Sequence, residues 1–326
     1  MSRLLTAAFA ATMLQSAGVA LAQDAYPNRP ITIIVPAAAG GPSDTVARLV
    51  AQSMSSTLGQ QVLVENQGGA GGSLGSGAAA RAEADGYTLL LYHVGVATFA
   101  ALYPDLPYQP IDAFDSVGLI TEVPLTMVAR QDLPANDIDQ LLTALREDGD
   151  TMTFGTAGVG SVSDLCGMLL SNALDTEMVV VPYPGTGPAM TDLLGGQIDL
   201  MCDQTTNTAG NIETGAIKGF AVTTRERVPL FPDLPTVAES GIDNFEITAW
   251  HALWAPKGTP EDVRQKLSEA LVTALHDETV IDRFAQLGTV PVADGQATPD
   301  ALDTLFRSEV ERWTQLIGQF TAPTAQ

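Results

Sequence analysis

A short β-branched run followed at once by a glycine-rich turn is the feature that most constrains how this chain folds. Residues Ile31–Val35 are apolar except at the second position, which is typical of a parallel strand buried on both faces. Gly40 and Gly41 permit a tight turn, and Pro42 suits the first turn of a helix, where its missing amide would be unpaired anyway. A helix is predicted to follow, because apolar residues recur there at steps of three and four positions, namely Val46, Leu49, Val50, Met54 and Leu58. Free amides at such a helix start favour an anion.

The same alternation of strand, glycine loop and helix recurs along the chain and predicts an α/β fold of two doubly wound, Rossmann-like domains. The predicted strands lie at 62–66, 87–92, 152–157, 179–183 and 198–202, with glycine-rich or serine-rich loops at 67–77, 158–163 and 184–187. In folds of this class the ligand lies beyond the carboxyl ends of the strands. The two halves resemble each other, so we expect two anion-binding surfaces to face each other across a cleft.

The first 22 residues predict a secretory signal peptide. They combine a positive charge at Arg3, an apolar stretch from Leu4 and the small-residue pattern Ala20-Leu21-Ala22, which favours cleavage before Gln23. No later stretch is long and apolar enough to cross a bilayer. The mature protein of about 300 residues is therefore expected to be exported to the periplasm, with room for two domains.

The net charge, the histidine positions and the absence of known binding motifs argue against several functions. With 15 Lys and Arg against 38 Asp and Glu, the formal charge is -23, which argues against nucleic acid and anionic membranes as partners. His93, His251 and His276 are far apart and show no metal-ligand spacing. No Gly-Lys-Ser/Thr phosphate loop occurs, and a loose dinucleotide pattern at Gly75–Ala80 lacks the expected downstream acid. We therefore expect no metal, no cofactor and no catalytic residue. His93 is interpreted either as a loop residue with satisfied hydrogen bonds or as part of a pocket wall.

Eight motifs, in order along nearly the whole mature chain, resemble one family. They are Tyr26–Ile31, Ala39–Asp44, Glu65-Asn66 before Gly69–Gly72, Asp85–Leu90, Val181–Tyr183, Asp192–Asp199, Leu234–Gly241 and Ala255–Pro260. Together they look like the Bug family, the extracytoplasmic solute receptors of tripartite tricarboxylate transporters.

The resemblance implies a type II periplasmic binding protein that closes like a clamshell on a small, usually carboxylated solute. The receptor would deliver this solute to a permease with a large and a small membrane subunit, and it is expected to be a monomer. By the same resemblance, the first domain comprises residues 23–122 plus 249–326, and the second residues 123–248. The loops at 38–44 and 155–163 would hold a carboxylate, partly through ordered water.

Two residues depart from the family pattern. Ala37 stands where many members have Phe, and Asp164 where many have His, so the pocket is expected to be roomier and less basic than usual. Two other functions stay open on the sequence alone. One is a ligand sensor that docks on a membrane kinase, and the other is an enzyme on the same fold.

The expected cleft loops contain no Lys or Arg, so backbone amides must carry a bound carboxylate, helped by serine hydroxyls and ordered water. Asp203 is expected to accept from a ligand hydroxyl or from water. The alternative is that these glycines serve only tight turns and these serines only cap helices. The full set of expected ligand-binding residues is Ala38, Ala39, Gly40, Gly41, Ser43, Asp44, Ser73, His93, Gly158, Gly160, Ser161, Ser163, Tyr183, Thr186, Asp203 and Thr205.

The two cysteines, Cys166 and Cys202, are predicted to form a disulfide. An even cysteine count behind a signal peptide suits an oxidising compartment. The strand predicted near residue 152 would neighbour that near 198, which brings the helix bearing Cys166 close to Cys202. The alternative is two buried, unpaired thiols.

Overall fold

The computed structural model describes residues 26–321, so the predicted signal peptide and its cleavage site lie outside the described part of the chain. Within this part the strands are β1 (Ile31–Val35), β2 (Val62–Asn66), β3 (Thr88–His93), β4 (Phe114–Arg130), β5 (Thr153–Thr156), β6 (Val179–Pro182), β7 (Leu200–Gln204), β8 (Ile217–Val222) and β9 (Thr248–Pro256). The α-helices are α1 (Pro42–Leu58), α2 (Ser73–Ala80), α3 (Phe99–Leu102), α4 (Pro110–Ala113), α5 (Ile138–Asp148), α6 (Val162–Leu174), α7 (Thr186–Leu194), α8 (Thr205–Glu213), α9 (Glu261–Leu275), α10 (Glu278–Gln286) and α11 (Pro299–Thr321).

The strands form one continuous sheet in the order β2-β1-β3-β9-β4-β7-β5-β6, with β8 also paired to β4. The long strand β4 lies in the middle of this sheet and joins its two halves. It pairs antiparallel with β9 from Phe114 to Pro124, and with β7 or β8 from Leu125 to Arg130. We call the part with β1, β2, β3, β9 and the first portion of β4 lobe 1, together with α1–α4 and α9–α11. The part with β5–β8, the second portion of β4 and α5–α8 is lobe 2.

Both faces of the lobe 1 sheet are covered, as the apolar strands predicted. Ile31, Ile33 and Val35 share a core with the apolar stripes of α1 and α9, whereas Ile34 belongs to the core on the opposite face. That second core includes the buried aromatic residues of α11, among them Trp313, which is 1% exposed. Alternate residues of β1 therefore pack into two different cores, one on each face of the sheet. This is the doubly wound α/β fold expected from the sequence.

Lobe 2 repeats this arrangement and contains the predicted disulfide. Cys166 on α6 and Cys202 in β7 are bonded, with their Cα atoms 6.2 Å apart and both residues fully buried. Strand β5 pairs in parallel with β7, as expected from the sequence. The bond therefore fixes the helix that begins at the lobe 2 glycine-serine loop to the neighbouring strand.

Several boundaries differ from the sequence-based expectations. Strand β7 begins two residues later than predicted and extends to Gln204. The alanine-rich stretch after the loop at 67–77 predicts a helix that ends near Asp85-Gly86, whereas helix α2 ends at Ala80. The pair Thr259-Pro260 predicts a helix with Thr259 as N-cap and Pro260 at its first position. In the structure the Thr259 hydroxyl donates to the Pro256 carbonyl instead, and Pro260 occupies the N-cap position of α9. No helix in residues 26–321 is both long and apolar enough to cross a membrane.

Candidate functional site

The same five-residue pattern, Gly-x-x-Ser-Asp, builds the helix start that follows the first strand of each lobe. It spans Gly40–Asp44 before and within α1, and Gly160–Asp164 before and within α6. In both cases the glycine amide donates to Oδ2 of the aspartate over 2.9 Å, and the glycine has φ +80°. Because this backbone conformation favours glycine, the shared pattern explains the shared turn.

In lobe 1 the aspartate of the pattern is compensated by a cation. Asp44 is 5% exposed and pairs with Arg48 one turn along α1, at 2.8 Å. Burial acts to raise the pKa of Asp44, but the hydrogen bonds from Arg48 and from the Gly40 amide outweigh it and hold the pKa below its usual value. Asp44 is therefore a charged residue that shapes the loop.

In lobe 2 the corresponding aspartate has no cationic partner among residues 26–321. Asp164 is 8% exposed, and burial raises its pKa although the Gly160 amide donates to it. Ser161 caps α6, since its hydroxyl accepts from the Asp164 amide, and Ser161 and Ser163 hydroxyls lie 3.0 Å apart. The Ser163 hydroxyl also accepts from the Ala157 amide. Both serines are fully buried.

Two buried histidines lie behind the α1 start. Nε2 of His251 is 3.1 Å from the Ser43 hydroxyl and Nδ1 is 3.2 Å from the Ala249 carbonyl. A carbonyl only accepts, so Nδ1 carries the proton and Ser43 donates to Nε2. His93 accepts from the Gly95 amide through Nδ1. Burial lowers the pKa of His251 to about 4 and that of His93 well below its usual value, so both rings are neutral at neutral pH.

The loops of the two lobes meet around these helix starts. The Ala38 amide of lobe 1 donates to the Pro184 carbonyl of lobe 2 over 3.1 Å. The Thr98 hydroxyl lies 3.2 Å from the Gly160 carbonyl, and the Tyr103 hydroxyl 2.7 Å from that of Val159. These bonds connect loops that follow strands in different lobes, so the lobes are closed against each other.

Glycine is required where the loops approach most closely. A Cβ atom added at Gly71 of lobe 1 would overlap the Val159 carbonyl of lobe 2. One added at Gly158 would lie 2.9 Å from the Gly71 amide nitrogen. A Cβ at Gly41 would lie 3.5 Å from the Gly187 amide nitrogen at the start of α7, which is ordinary contact. Gly71 and Gly158 therefore allow a closure that no side chain would permit.

The end of β7 is the third buried polar part of this region. Asp203 is fully buried and its Oδ2 accepts from Asn207 over 2.6 Å. Burial raises the pKa of Asp203 to about 6, although Asn207, Gln204 and Thr186 lie close enough to lower it. The Thr205 hydroxyl donates to the Gly288 carbonyl of lobe 1.

The remaining expected site residues lie farther from the two helix starts or form hydrogen bonds with other parts of the protein. The Tyr183 hydroxyl donates to Asp192 at the edge of lobe 2, where Ala39, Gly40 and Gly187 help to line an open cavity of about 630 Å³. Ser73 is 5% exposed at the start of α2, and its carbonyl accepts from Tyr108. Ala39 and Tyr183 thus belong to the rim.

Sequence reasoning missed residues that complete the region. His251 was considered only as a metal ligand, and no role was expected for Thr98, Tyr103 or Asn207. A polar residue in the otherwise apolar strand β9 was the available signal for His251. Tyr103 carries no such signal, because its partners are the carbonyls of Ala70 and Val159, which are far away in the chain. Asn207 lies one helical turn after its partner Asp203, but nothing in the residue types marks that contact.

Known proteins match this chain over most of its length. Residues 46–321 match the model of the tripartite tricarboxylate transporter family receptor. The "UPF0065 protein in the TAR-I ttuE-ttuC' intergenic region" of Agrobacterium vitis is 62% identical, covering 98% of this chain and 91% of that protein. Protein BugT of Bordetella pertussis is 34% identical, covering 97% of each chain.

Solved structures agree with the sequence matches. The periplasmic binding protein BugD has 46% identity and a TM-score of 0.89, covering 90% of this chain and 98% of that one. MatC from Rhodopseudomonas palustris, solved with bound malate, has 39% identity and a TM-score of 0.87, covering 90% and 100%. These matches also confirm the resemblance drawn from the eight sequence motifs. The chain belongs to the tripartite tricarboxylate transporter family of solute-binding receptors, which includes the Bug proteins.

Proposed function

We propose that this receptor captures a small carboxylated solute in the periplasm, between the starts of α1 and α6, and delivers it to the large and small membrane subunits of a transporter. One observation carries the proposal. Two helix starts of the same Gly-x-x-Ser-Asp pattern are brought into one closed region, and the loops at 36–44 and 156–163 contain no Lys or Arg. Helix amides and serine hydroxyls are suitable donors for a carboxylate under these conditions.

Two structural relatives support the choice of solute. MatC, at 39% identity, was solved with malate, and a second protein from R. palustris, at 28% identity and a TM-score of 0.85, was solved with adipate. Both ligands are small dicarboxylates. The same class of solute therefore suits this receptor.

The lobes support a clamshell mechanism. We place the domain boundary at 122/123, two residues before β4 exchanges β9 for β7 and β8 between Pro124 and Leu125, and the return at 248/249, where β9 begins. Rotation at these two crossings would separate the loops that now touch. A monomer with this hinge would present its closed form to the permease.

The proposal is tested by placing a negative charge in the anion position. The receptor is unfolded and refolded to remove retained solute, then titrated by calorimetry with a panel of mono-, di- and tricarboxylates. Ser161→Asp keeps a good N-cap residue but puts a carboxylate where the solute's carboxylate would lie. We expect binding to weaken at least 100-fold.

Ser161→Asn is the matched control. Asparagine has nearly the same shape as aspartate and caps a helix equally well, but it carries no charge. It should bind within about tenfold of wild type, since only one hydrogen-bonding group has changed. Equal affinity of Ser161→Asp and wild type would place the carboxylate elsewhere. A wild-type protein that binds no acid in the panel, or that converts one chemically, would overturn the proposed function itself.

A further inference from the structure

His93, at the end of β3, has a ring N–H group without a partner. The residue is 4% exposed. Its Nδ1 accepts from the Gly95 amide over 3.0 Å, and because an amide nitrogen only donates, the single N–H of the neutral ring is on Nε2. Nε2 has no hydrogen-bond partner among residues 26–321, and it is not one of the fully buried atoms that lack a partner. This N–H therefore opens onto a space that can hold a bound group.

The ring of His93 lies between the two helix starts. On one side it meets the ring of His251, with ring centroids 5.7 Å apart, and His251 contacts Ser43 at the start of α1. On the other side is the turn at Gly95. A Cβ atom added to Gly95 would lie 3.0 Å from both Cε1 of His93 and the carbonyl oxygen of Gly160, just before α6. Because Cε1 is bonded to Nε2, the free N–H belongs to the region enclosed between the lobes, where the proposed function places the solute.

Other donors expected from lobe 1 are already in use. His251 has its N–H on Nδ1, facing a backbone carbonyl, so its Nε2 takes the hydrogen of the Ser43 hydroxyl. Ser43 therefore has no hydrogen left to donate to a solute. The Gly40 amide, in turn, donates to the side chain of Asp44. The two neighbouring histidines thus carry their protons on different nitrogens, and the N–H of His93 is the one that remains free.

The ring of His93 is held in one orientation and one charge state. It stacks on Tyr92 with ring centroids 3.9 Å apart, and turning it over would leave the Gly95 amide without its acceptor. Burial lowers the pKa of His93 well below its usual value, so the ring stays neutral. A fixed neutral N–H can donate to a carboxylate without adding another buried charge, whose desolvation would cost energy.

We propose that His93 binds the solute directly in the closed receptor, by donating a hydrogen bond from Nε2 to a carboxylate oxygen. This inference rests on the proposed function, since it assigns a further donor to the same solute. His251 is then a positioning residue, because it holds the hydroxyl of Ser43 turned away from the solute.

Nuclear magnetic resonance tests the position of the proton. The chain has three histidines, so the ring signals of receptor containing isotope-labelled histidine can be assigned with His93→Asn and His276→Asn. At pH 7 we expect His93 to carry its proton on Nε2 and His251 on Nδ1. Malate, succinate, adipate and citrate are then added in turn to the refolded receptor. An acid that binds should shift the Nε2–H signal of His93 and leave that of His276, which is exposed beside Asp294, unchanged.

His93→Asn removes the donor but keeps the turn, because its side-chain oxygen replaces Nδ1 as the acceptor for the Gly95 amide. Affinity for the acid that binds, measured by calorimetry, should fall about ten- to 100-fold, as expected for the loss of a hydrogen bond to a charged group. His93→Gln is the matched rescue, because its longer side chain brings an N–H to the position of Nε2. It should bind at least about threefold more tightly than His93→Asn. His276→Asn is the surface control and should keep the wild-type affinity.

Several outcomes would overturn the inference. Wild-type affinity in His93→Asn would remove His93 from the site and leave the carboxylate receptor standing. Equal losses in His93→Asn and His93→Gln would assign the effect to lost packing instead of a lost donor. A proton on Nδ1 of His93, or an Nε2–H signal that does not respond to a bound acid, would overturn it even if neither variant folds. Failure of the wild-type protein to bind any of the acids would overturn the proposed function, and this inference with it.

Discussion

The starts of α1 and α6 share a sequence pattern and a backbone conformation, yet the pKa values of their aspartates are shifted in opposite directions. Asp44 in lobe 1 is held by Arg48, and its pKa lies below the usual value. Asp164 in lobe 2 accepts the same kind of hydrogen bond from a glycine amide but pairs with no Lys or Arg in the described part of the chain, and burial raises its pKa. A five-residue pattern therefore fixes the turn, whereas neighbours outside the pattern decide the electrostatics.

The two starts are also supported differently. In lobe 1 the serine of the pattern donates to His251, a residue 208 positions away in the chain. In lobe 2 the serine accepts from the nearby Ala157 amide, and the helix is tied to β7 by a disulfide. Lobe 2 thus obtains a rigid site mainly from local and covalent contacts, and lobe 1 from a long-range hydrogen bond.

The largest expected effect comes from removing the covalent support. Cys166→Ala/Cys202→Ala should lower the free energy of unfolding by about 4 kcal/mol, since the bond closes a loop with a sequence separation of 36 residues. Chemical denaturation measures this change. A reducing agent should destabilise the wild-type protein and leave the variant unchanged. Equal stability of oxidised wild type and variant would show that lobe 2 does not depend on the bond.

Gly71→Ala should next prevent the two helix starts from facing each other. The added methyl group would overlap the Val159 carbonyl of the other lobe, so affinity for the tightest-binding acid should fall about 100-fold or more, a loss of about 3 kcal/mol. Calorimetry measures the affinity.

Gly59→Ala is the matched control for Gly71→Ala. Gly59 has φ +67° and Gly71 has φ +60°, but an added Cβ at Gly59 would meet nothing within 4 Å. Both variants should lose about 1 kcal/mol of stability to the unfavourable backbone conformation, and only Gly71→Ala should lose binding. Equal affinities for the two variants would refute the closed contact.

Tyr103→Phe tests a weaker contact between the lobes. Its hydroxyl lies within hydrogen-bond distance of the Ala70 carbonyl in lobe 1 and the Val159 carbonyl in lobe 2. Losing one such bond should weaken solute binding about two- to fivefold. Tyr108→Phe removes a hydroxyl that bonds to the Ser73 carbonyl, within lobe 1, so its affinity should stay at the wild-type value. A similar loss in both variants would mean that the bond across the lobes contributes nothing to closure.

The smallest expected effects are changes in stability at pH 7, and they should have opposite signs for Asp44→Asn and Asp164→Asn. Asp44→Asn removes the partner of Arg48, whose side chain is 54% exposed, and should destabilise at pH 7 by about 0.5 to 1 kcal/mol. Asp164→Asn removes a buried charge without a counter-ion and should raise the melting temperature at pH 7 by about 1 to 3 °C.

The pH dependence of these two variants separates the causes. The pKa of Asp164 is raised on folding, so the folded state binds its proton more tightly, and the penalty of the charged form appears only as pH rises through the folded pKa. The advantage of Asp164→Asn should therefore vanish near pH 3.8 and below. The pKa of Asp44 is lowered, so its contribution is present above pH 3.8 and is lost as pH falls through the lower folded pKa. Thermal melts across this range would contradict the assignment if both variants shifted in the same direction.

The amino-acid sequence alone determined the class of fold and the elements that carry the site. Strand β1, helix α1 and the glycine loop between them follow from residues within 30 positions of each other, because apolar period, glycine and proline act locally. The disulfide between Cys166 and Cys202 was also predictable, since parallel pairing of neighbouring strands brings the two elements together. Helix α9 was predicted with its cap displaced by one residue, because helix ends depend on competing local hydrogen bonds.

Only the tertiary structure decided how these elements act together. The antiparallel passage of β4 through both lobes brings Ser43 to His251, Thr205 to Gly288 and Gly71 to Val159, and none of these contacts lies within one element. The raised pKa of Asp203 and the lowered pKa of His251 have the same origin, because burial depends on residues that pack from distant parts of the chain. Local pattern fixes backbone geometry, whereas desolvation and contacts between the lobes exist only once the chain has closed on itself.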